Sequence, residues 1–292
     1  MAMNAKPDKQ FRQTTNKNTT VLIVVFILLL VLLAILLFTC RQQKLSTGNK
    51  YKHDSTLNAM QIPAVKPADQ IIEHTGYTLC FVPKYEQASW VAYVLRGNQL
   101  QAAHFDRTNQ FMTDPLAKPH SADDEDYEAS GYDRGHLASA EDMSWSATTM
   151  AESFYYSNMS PQVPAFNRGV WKRLEELVRY WSSAYDSIYV VTGPVLTDGL
   201  PTIGHDNVAV PQFYYKVILE YNPQGVRGIG FVLPNQASAA TLKSFAVSID
   251  SVEHLTGLDF FPKLPDDVEG KVESNLDVND WLWTRKRARQ AQ

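Results

Sequence analysis

From Val21 to Phe38 every residue is apolar, and no other stretch of the chain restricts its folding as tightly. With Thr39 and Cys40 the run is long enough, as a helix rising about 1.5 Å per residue, to cross a hydrocarbon core about 30 Å thick. It has no polar face of the kind that a helix packed on a soluble core presents, and it stands directly behind a hydrophilic tail. The run therefore reads as a transmembrane anchor over residues 21–39, preceded by a polar tail over residues 1–20. A cleaved secretion signal would have a shorter apolar centre ending in small residues, where this chain has Leu37 and Phe38.

Charge does not orient the span. Lys6, Lys9, Arg12 and Lys17 precede it, while Arg41, Lys44, Lys50 and Lys52 follow it, so the excess of basic residues expected on the cytoplasmic side is missing. Residues 40–70 carry Ser, Thr, Lys and Asn with the spaced prolines Pro63 and Pro67, the composition of a polar tether. The folded domain is expected from near Ile71 to residue 284, followed by a basic tail over residues 285–292. Hydrophobic residues at 45% and charged residues at 20% are ordinary globular values. Only Cys40 and Cys80 could pair, so a disulfide framework is excluded, and Cys80 reads as a buried strand residue.

Within the domain, Tyr77 to Val82 and Trp90 to Leu95 are apolar, β-prone runs separated by Pro83 and polar residues, which predicts paired strands. Ser187 to Thr192, Phe213 to Tyr221 and Val226 to Leu233 are similar runs punctuated by Gly193-Pro194, Asn222-Pro223 and Pro234-Asn235. Between the two groups, Val170, Trp171, Leu174, Leu177, Val178 and Trp181 recur at helical spacing and predict a helix from about Phe166 to Tyr185. Ala237 to Ile249 and Ser251 to Leu258 are further expected helices. Strands, a helix and more strands without regular βαβ alternation favour an α+β domain with a mainly antiparallel sheet and flanking helices.

Two segments carry chemistry. Gly131-Tyr132-Asp133-Arg134-Gly135-His136-Leu137-Ala138 sets an acid, a guanidinium and an imidazole around a glycine, whose backbone freedom is expected to present Arg134 and His136 together. Downstream, Asn158-Met159-Ser160-Pro161-Gln162 precedes Phe166-Asn167-Arg168-Gly169-Val170-Trp171 and Leu174-Glu175 on the expected helix. At about 100° per residue, Glu175 and Arg179 lie roughly 80° and 120° around from Asn167, on one border of the apolar stripe. A plain pairing of Glu175 with Arg179 at i, i+4 is the alternative, and would contribute only about 0.2 to 0.5 kcal/mol.

Together these segments closely resemble the DNA/RNA non-specific endonucleases. The resemblance rests on Asp133 to Ala138, on Asn158 to Gln162 and on Asn167 to Glu175, and covers roughly residues 75 to 283. It implies a ββα-metal site with His136 on a strand as general base and Asn167 on the adjoining helix as the protein's ligand to Mg2+, for which Mn2+ could substitute. Glu175 is implied to hold water around the metal, Arg134 and Arg179 to bind phosphate oxygens, and Asp133 and Asn158 to support the site. At an ordinary pKa of about 6.5, His136 would be neutral and basic enough at physiological pH, with backbone contacts fixing its tautomer.

The expected partners are then DNA and RNA as substrates, cut without sequence preference to leave 5′-phosphate ends, and the membrane through residues 21–39. Pairing into a homodimer is left open. The nuclease domain is expected on the extracytoplasmic side, in a bacterial periplasm or at the cell surface, because a non-specific nuclease facing the cytoplasm would attack the cell's own nucleic acid.

Composition pulls the other way. Beyond residue 50, 20 basic residues face 30 acidic ones, a net of −10, where nucleic-acid binders usually show a basic face. The run Asp123-Asp124-Glu125-Asp126 with Glu128 would repel a polyanion and is expected to be a solvated loop turned from the substrate. Arg168, Lys172, Arg173 and Arg179, with Arg285, Lys286, Arg287 and Arg289, are candidate phosphate contacts, the C-terminal run reading equally well as a solvated tail. Ser139 stands where the family commonly has proline, with no chemical role implied. No Gly-x-Ser-x-Gly elbow, Walker loop or His-Glu-x-x-His helix is present, and Gly228-Ile229-Gly230 alone is too weak for a nucleotide site. The rival reading is a catalytically inert nucleic-acid- or protein-binding module on the same fold, which would not require His136, Asn167 and Glu175 together.

Overall fold

The structure, a computed structural model, describes residues 59–284 apart from Ala103, Pro223 and Gln224. The apolar run over residues 21–39 and the tail from residue 285 lie outside the described residues, among which no helix is long and apolar enough to cross a membrane.

A seven-stranded sheet runs in the order β1 (Gln70–Glu73), β2 (Thr78–Val82), β3 (Gln87–Arg96), β6 (Ser187–Pro194), β9 (Phe213–Asn222), β10 (Gly225–Pro234) and β11 (Ala246–Val247). Every neighbouring pair is antiparallel. Two short ribbons stand apart from it, β4 (Asp133–His136) with β5 (Met159–Gln162), and β7 (Thr202–Ile203) with β8 (Val208–Ala209). The helices are α1 (Gly97–Leu100), α2 (Asp124–Tyr127), α3 (Ala147–Glu152), α4 (Lys172–Tyr185), α5 (Ile249–Thr256) and α6 (Asp266–Ser274).

Successive strand residues point to opposite faces, and both faces of this sheet are covered, so its central strands are largely apolar on both sides. On one face Ile188, Val190 and Ile218 pack with Leu174, Val178 and Trp181 of α4. On the other, Val191, Val217 and Leu219 pack with Ile249 and Val252 of α5 and Val272 of α6. Cys80 is free and buried in that second layer.

The expected helix over Ala237 to Ile249 does not form. The segment is a 3-10 turn at Leu242–Phe245 followed by edge strand β11, which pairs with Gly230 and Phe231. The small residues at its start offer no apolar stripe to pack, and the carbonyls of Ser238 and Ala240 accept bonds from Arg173. Ser248 then starts α5 by accepting a hydrogen bond from Ser251 N, which is how a serine N-cap satisfies an orphan amide. Packed chain also begins ahead of Ile71: Gln61 and Pro63 are buried, Ile62 lies against the second core layer, and Ala64 N donates to Asp259 O at 2.8 Å.

Candidate active site

Ribbon β4–β5 pairs Gly135 with Ser160 and His136 with Met159. Arg134 and His136, two residues apart on one strand, share a face. The glycine between them serves a different purpose from the one its backbone freedom suggested. Gly135 stays out of the left-handed region, and a Cβ there would overlap the buried side chain of Gln162 across the ribbon. Beyond His136 the chain is held by Asn158, whose backbone O accepts from Leu137 N at 3.0 Å and whose side chain bonds Ala138 N, Ala138 O and Ser153 O at 2.8–3.0 Å. Asn158 thus fixes the chain just beyond His136.

Phe166–Trp171 forms a wide π turn rather than the start of a regular helix, with Gly169 at φ −111°, ψ −105° inside it. The 100° progression from Asn167 to Glu175 therefore does not hold across the kink. Even so, Arg134, His136, Asn167, Glu175 and Arg179 line one cleft of about 720 Å³.

His136 is 8% exposed, and its ring meets Phe154 edge-on at 4.9 Å and Phe111 at 6.1 Å. Nε2 is buried with no hydrogen-bond partner, so the ring is oriented by aromatic packing and not by the expected backbone contacts. Nδ1 is left as the nitrogen able to meet water in the cleft. The ordinary imidazole pKa is also not kept: burial, followed by the nearby Arg107 charge, pushes it down to about 3, because both disfavour the cation.

Asn167 Nδ2 donates to Asp133 Oδ2 at 2.9 Å, which leaves its carbonyl oxygen free to face another partner. The same carboxylate holds Arg168 through two bonds of 2.8 and 2.6 Å. Glu175 is half-buried on the cleft wall. Burial pushes its carboxyl up, opposed by the ammonium of Lys216. Arg179 donates to Asp142 Oδ1 at 2.8 Å and reaches Ser139 Oγ at 3.4 Å, so its ion-pair partner is Asp142, not Glu175. Ser139 thus lines the cleft.

Two expectations about charged residues are corrected. The acidic run is not a loop turned away from the site. Asp123 caps α2, Asp126 is buried, and Asp124 pairs with Arg134 at 2.8 Å while accepting a hydrogen bond from Tyr156 OH. Arg173 is spent on the Ser238 and Ala240 carbonyls and does not line the cleft.

Three residues at the site escaped the sequence reading. Arg107 comes from a polar loop with no signal around it. Asp142 is buried and bonded also by Tyr93 OH at 2.8 Å. Lys216 is fully buried on β9, with Nζ lacking a hydrogen-bond partner and sitting 4.7 Å from the centre of the Trp171 ring. Its signal was available: a lysine inside a largely apolar central strand is expected to be buried, and buried lysines need a partner.

The chain matches the family of DNA/RNA non-specific endonucleases over residues 54–267. It belongs to that family. Human mitochondrial endonuclease G is 36% identical over 209 residues, covering 67% of this chain and 70% of that protein. Nuclease C1 of Cunninghamella echinulata var. echinulata is 37% identical over 218 residues, covering 68% and 84%. A crystal structure of the EndoG/EndoGI complex, which addresses the mechanism of EndoG inhibition, superposes with a TM-score of 0.67 at 31% identity, covering 73% of this chain and 93% of that one. The α+β architecture with its mainly antiparallel sheet is thus shared with EndoG, and the family identifies the chain as a nuclease.

Proposed function

We propose that this chain is a membrane-anchored, magnesium-dependent endonuclease that hydrolyses DNA and RNA without sequence preference and leaves 5′-phosphate ends. The observation that carries the reading is the convergence of a neutral imidazole and an amide oxygen, freed by Asp133, in one cleft lined by arginine and lysine side chains. Arg107, Arg134, Arg168, Lys172 and Arg179 line it with Glu141, Glu175 and Glu176, and Asp124, Asp133 and Asp142 hold three of the arginines in place, so an acidic domain still presents five cationic side chains to this cleft. Local charge is what a polyanion meets first.

The donors fit magnesium, which prefers hard oxygen ligands and keeps several waters, so one protein ligand suffices. Asn167 would hold it through its carbonyl oxygen, with Glu175 bonding water around it. When bound, the metal would stabilise charge on the scissile phosphate and the departing 3′ oxygen. Arg134 and Arg179, each fixed by a carboxylate, donate charge-assisted hydrogen bonds to phosphate oxygens. His136 takes the proton of the attacking water at Nδ1. A phosphate entering beside Arg107 offsets the charge that disfavours imidazolium, raising the basicity of His136 when substrate is present.

The full-length chain, purified in detergent and given plasmid, single-stranded DNA and RNA, should cut all three with magnesium and none with chelator. Undiminished cutting in chelator, or cutting confined to one sequence, refutes the reading. The products should ligate without prior phosphorylation, as 5′-phosphate ends do. The apolar run over residues 21–39 supports the anchor, and the hazard of an unrestrained nuclease supports extracytoplasmic placement. Protease added to intact cells should digest the domain, and protection equal to that of a cytoplasmic marker would reverse the orientation.

A further inference from the structure

We propose that Asp123, Asp126 and His205 form a second divalent-cation site, of zinc type and outside the catalytic cleft, which braces the turn that holds Arg134. One donor atom from each residue lies within 4.8 Å of the others, and none of the three lines the cleft. His205 Nδ1 is 3.3 Å from Asp126 Oδ1, longer than the roughly 2.7–2.9 Å of a charge-assisted hydrogen bond. It matches instead the spacing of about 3.3 Å between neighbouring donors that tetrahedral zinc with bonds of about 2.0–2.1 Å requires.

The local fold builds the group from two sides. Asp123 Oδ1 accepts from Glu125 N at 2.8 Å and Asp126 Oδ2 from Asp123 N at 3.0 Å, a capping box that fixes both carboxylates at the start of α2. The turn of β7–β8 closes over them: Gly204, at φ +70°, lies where a Cβ would overlap Asp126, and Asp206 N donates to Asp126 Oδ1 at 2.9 Å. Capping accounts for the two aspartates but not for His205 beside them, and a carboxylate has about four lone-pair sites, enough to cap a helix and bind a cation.

An independent observation points to a missing positive charge. Glu86 is only 6% exposed, and its Oε2 is buried with no hydrogen-bond partner. Its charged neighbours are His120, Asp206 and Asp126. Asp206 is approached by His205 Nε2 at 3.5 Å and His120 Nε2 at 3.3 Å. Carboxylates gathered around an orphaned, buried carboxylate favour a cation among them, because like charges this close disfavour one another.

Imidazole beside carboxylate selects zinc over magnesium or calcium, which take oxygen donors. Half-exposed His205 leaves a way in for the ion. The site would act on the reaction through α2, whose Asp124 holds Arg134 at 2.8 Å.

The test needs no nucleic acid. Full-length protein, stripped with chelator, would be dialysed against micromolar zinc in excess magnesium and its bound zinc measured. The wild type and Asn167→Ala should each bind one zinc per chain more than His205→Ala. Zinc should raise the melting temperature of the first two and leave that of His205→Ala unmoved. Equal zinc content in His205→Ala and the wild type, or a wild type that binds no zinc, overturns the proposal whether or not the chain is a magnesium nuclease.

Discussion

Replacing His136 by alanine should lower turnover by roughly 10² to 10⁴, the usual contribution of a positioned acid or base. Affinity for nucleic acid, and its dependence on salt, should change little, because the grip comes from several cationic side chains and one uncharged imidazole adds almost nothing to counterion release. Stability will change. His136 is buried and packed on Phe154, so truncation leaves a gap, and His136→Asn is the better control for volume. The pH dependence carries its own signature. The folded-state pKa is depressed to about 3. Between that value and an unfolded value of about 6.5, the unfolded chain binds a proton that the native state refuses. Native stability therefore falls as pH falls through this window, by up to about 1.4 kcal/mol per unit from this group, and unfolding of His136→Asn should lack that component. Single-turnover cutting by folded His136→Asn at close to the parent rate would remove His136 from the role of base.

Asn167→Ala should lose most activity at low magnesium and regain part of it as magnesium is raised, because it removes the one direct protein ligand assigned to the metal. No His136 variant should recover in this way. Asn167 is half-exposed and its side chain bonds Asp133, while its backbone bonds survive truncation, so its replacement should leave the melting temperature near that of the parent. Activity measured against magnesium concentration decides the matter: equal rescue of both variants, or of neither, would mean that base and metal ligand have been assigned wrongly.

Much of the site was legible because ribbon, turn and helix are contiguous in the chain. Asp133, Arg134 and His136 sit within four residues, Asn167 follows in the π turn and Glu175 and Arg179 on α4, so motif and order survive any packing detail. Element boundaries were legible where apolar runs end at proline or glycine, as at Pro194 and Pro234. The segment from Ala237 to Phe245 was not, because small residues carry no periodicity, and carbonyl bonds from a distant arginine decided its course.

The order of side chains along the sequence thus determined which atoms can do chemistry here: an imidazole, an amide oxygen, a carboxylate and guanidinium groups in the order the family uses. Tertiary structure alone decided the state of those atoms. Phe154 and Arg107 hold His136 neutral, Asp133 turns the Asn167 amide, Asp142 takes Arg179 from Glu175, and the charge of Lys216 acts on Glu175 from a strand position 41 residues later in the chain. Desolvation and Coulomb energy depend on what lies within a few ångströms in space. No pattern along the chain records that distance.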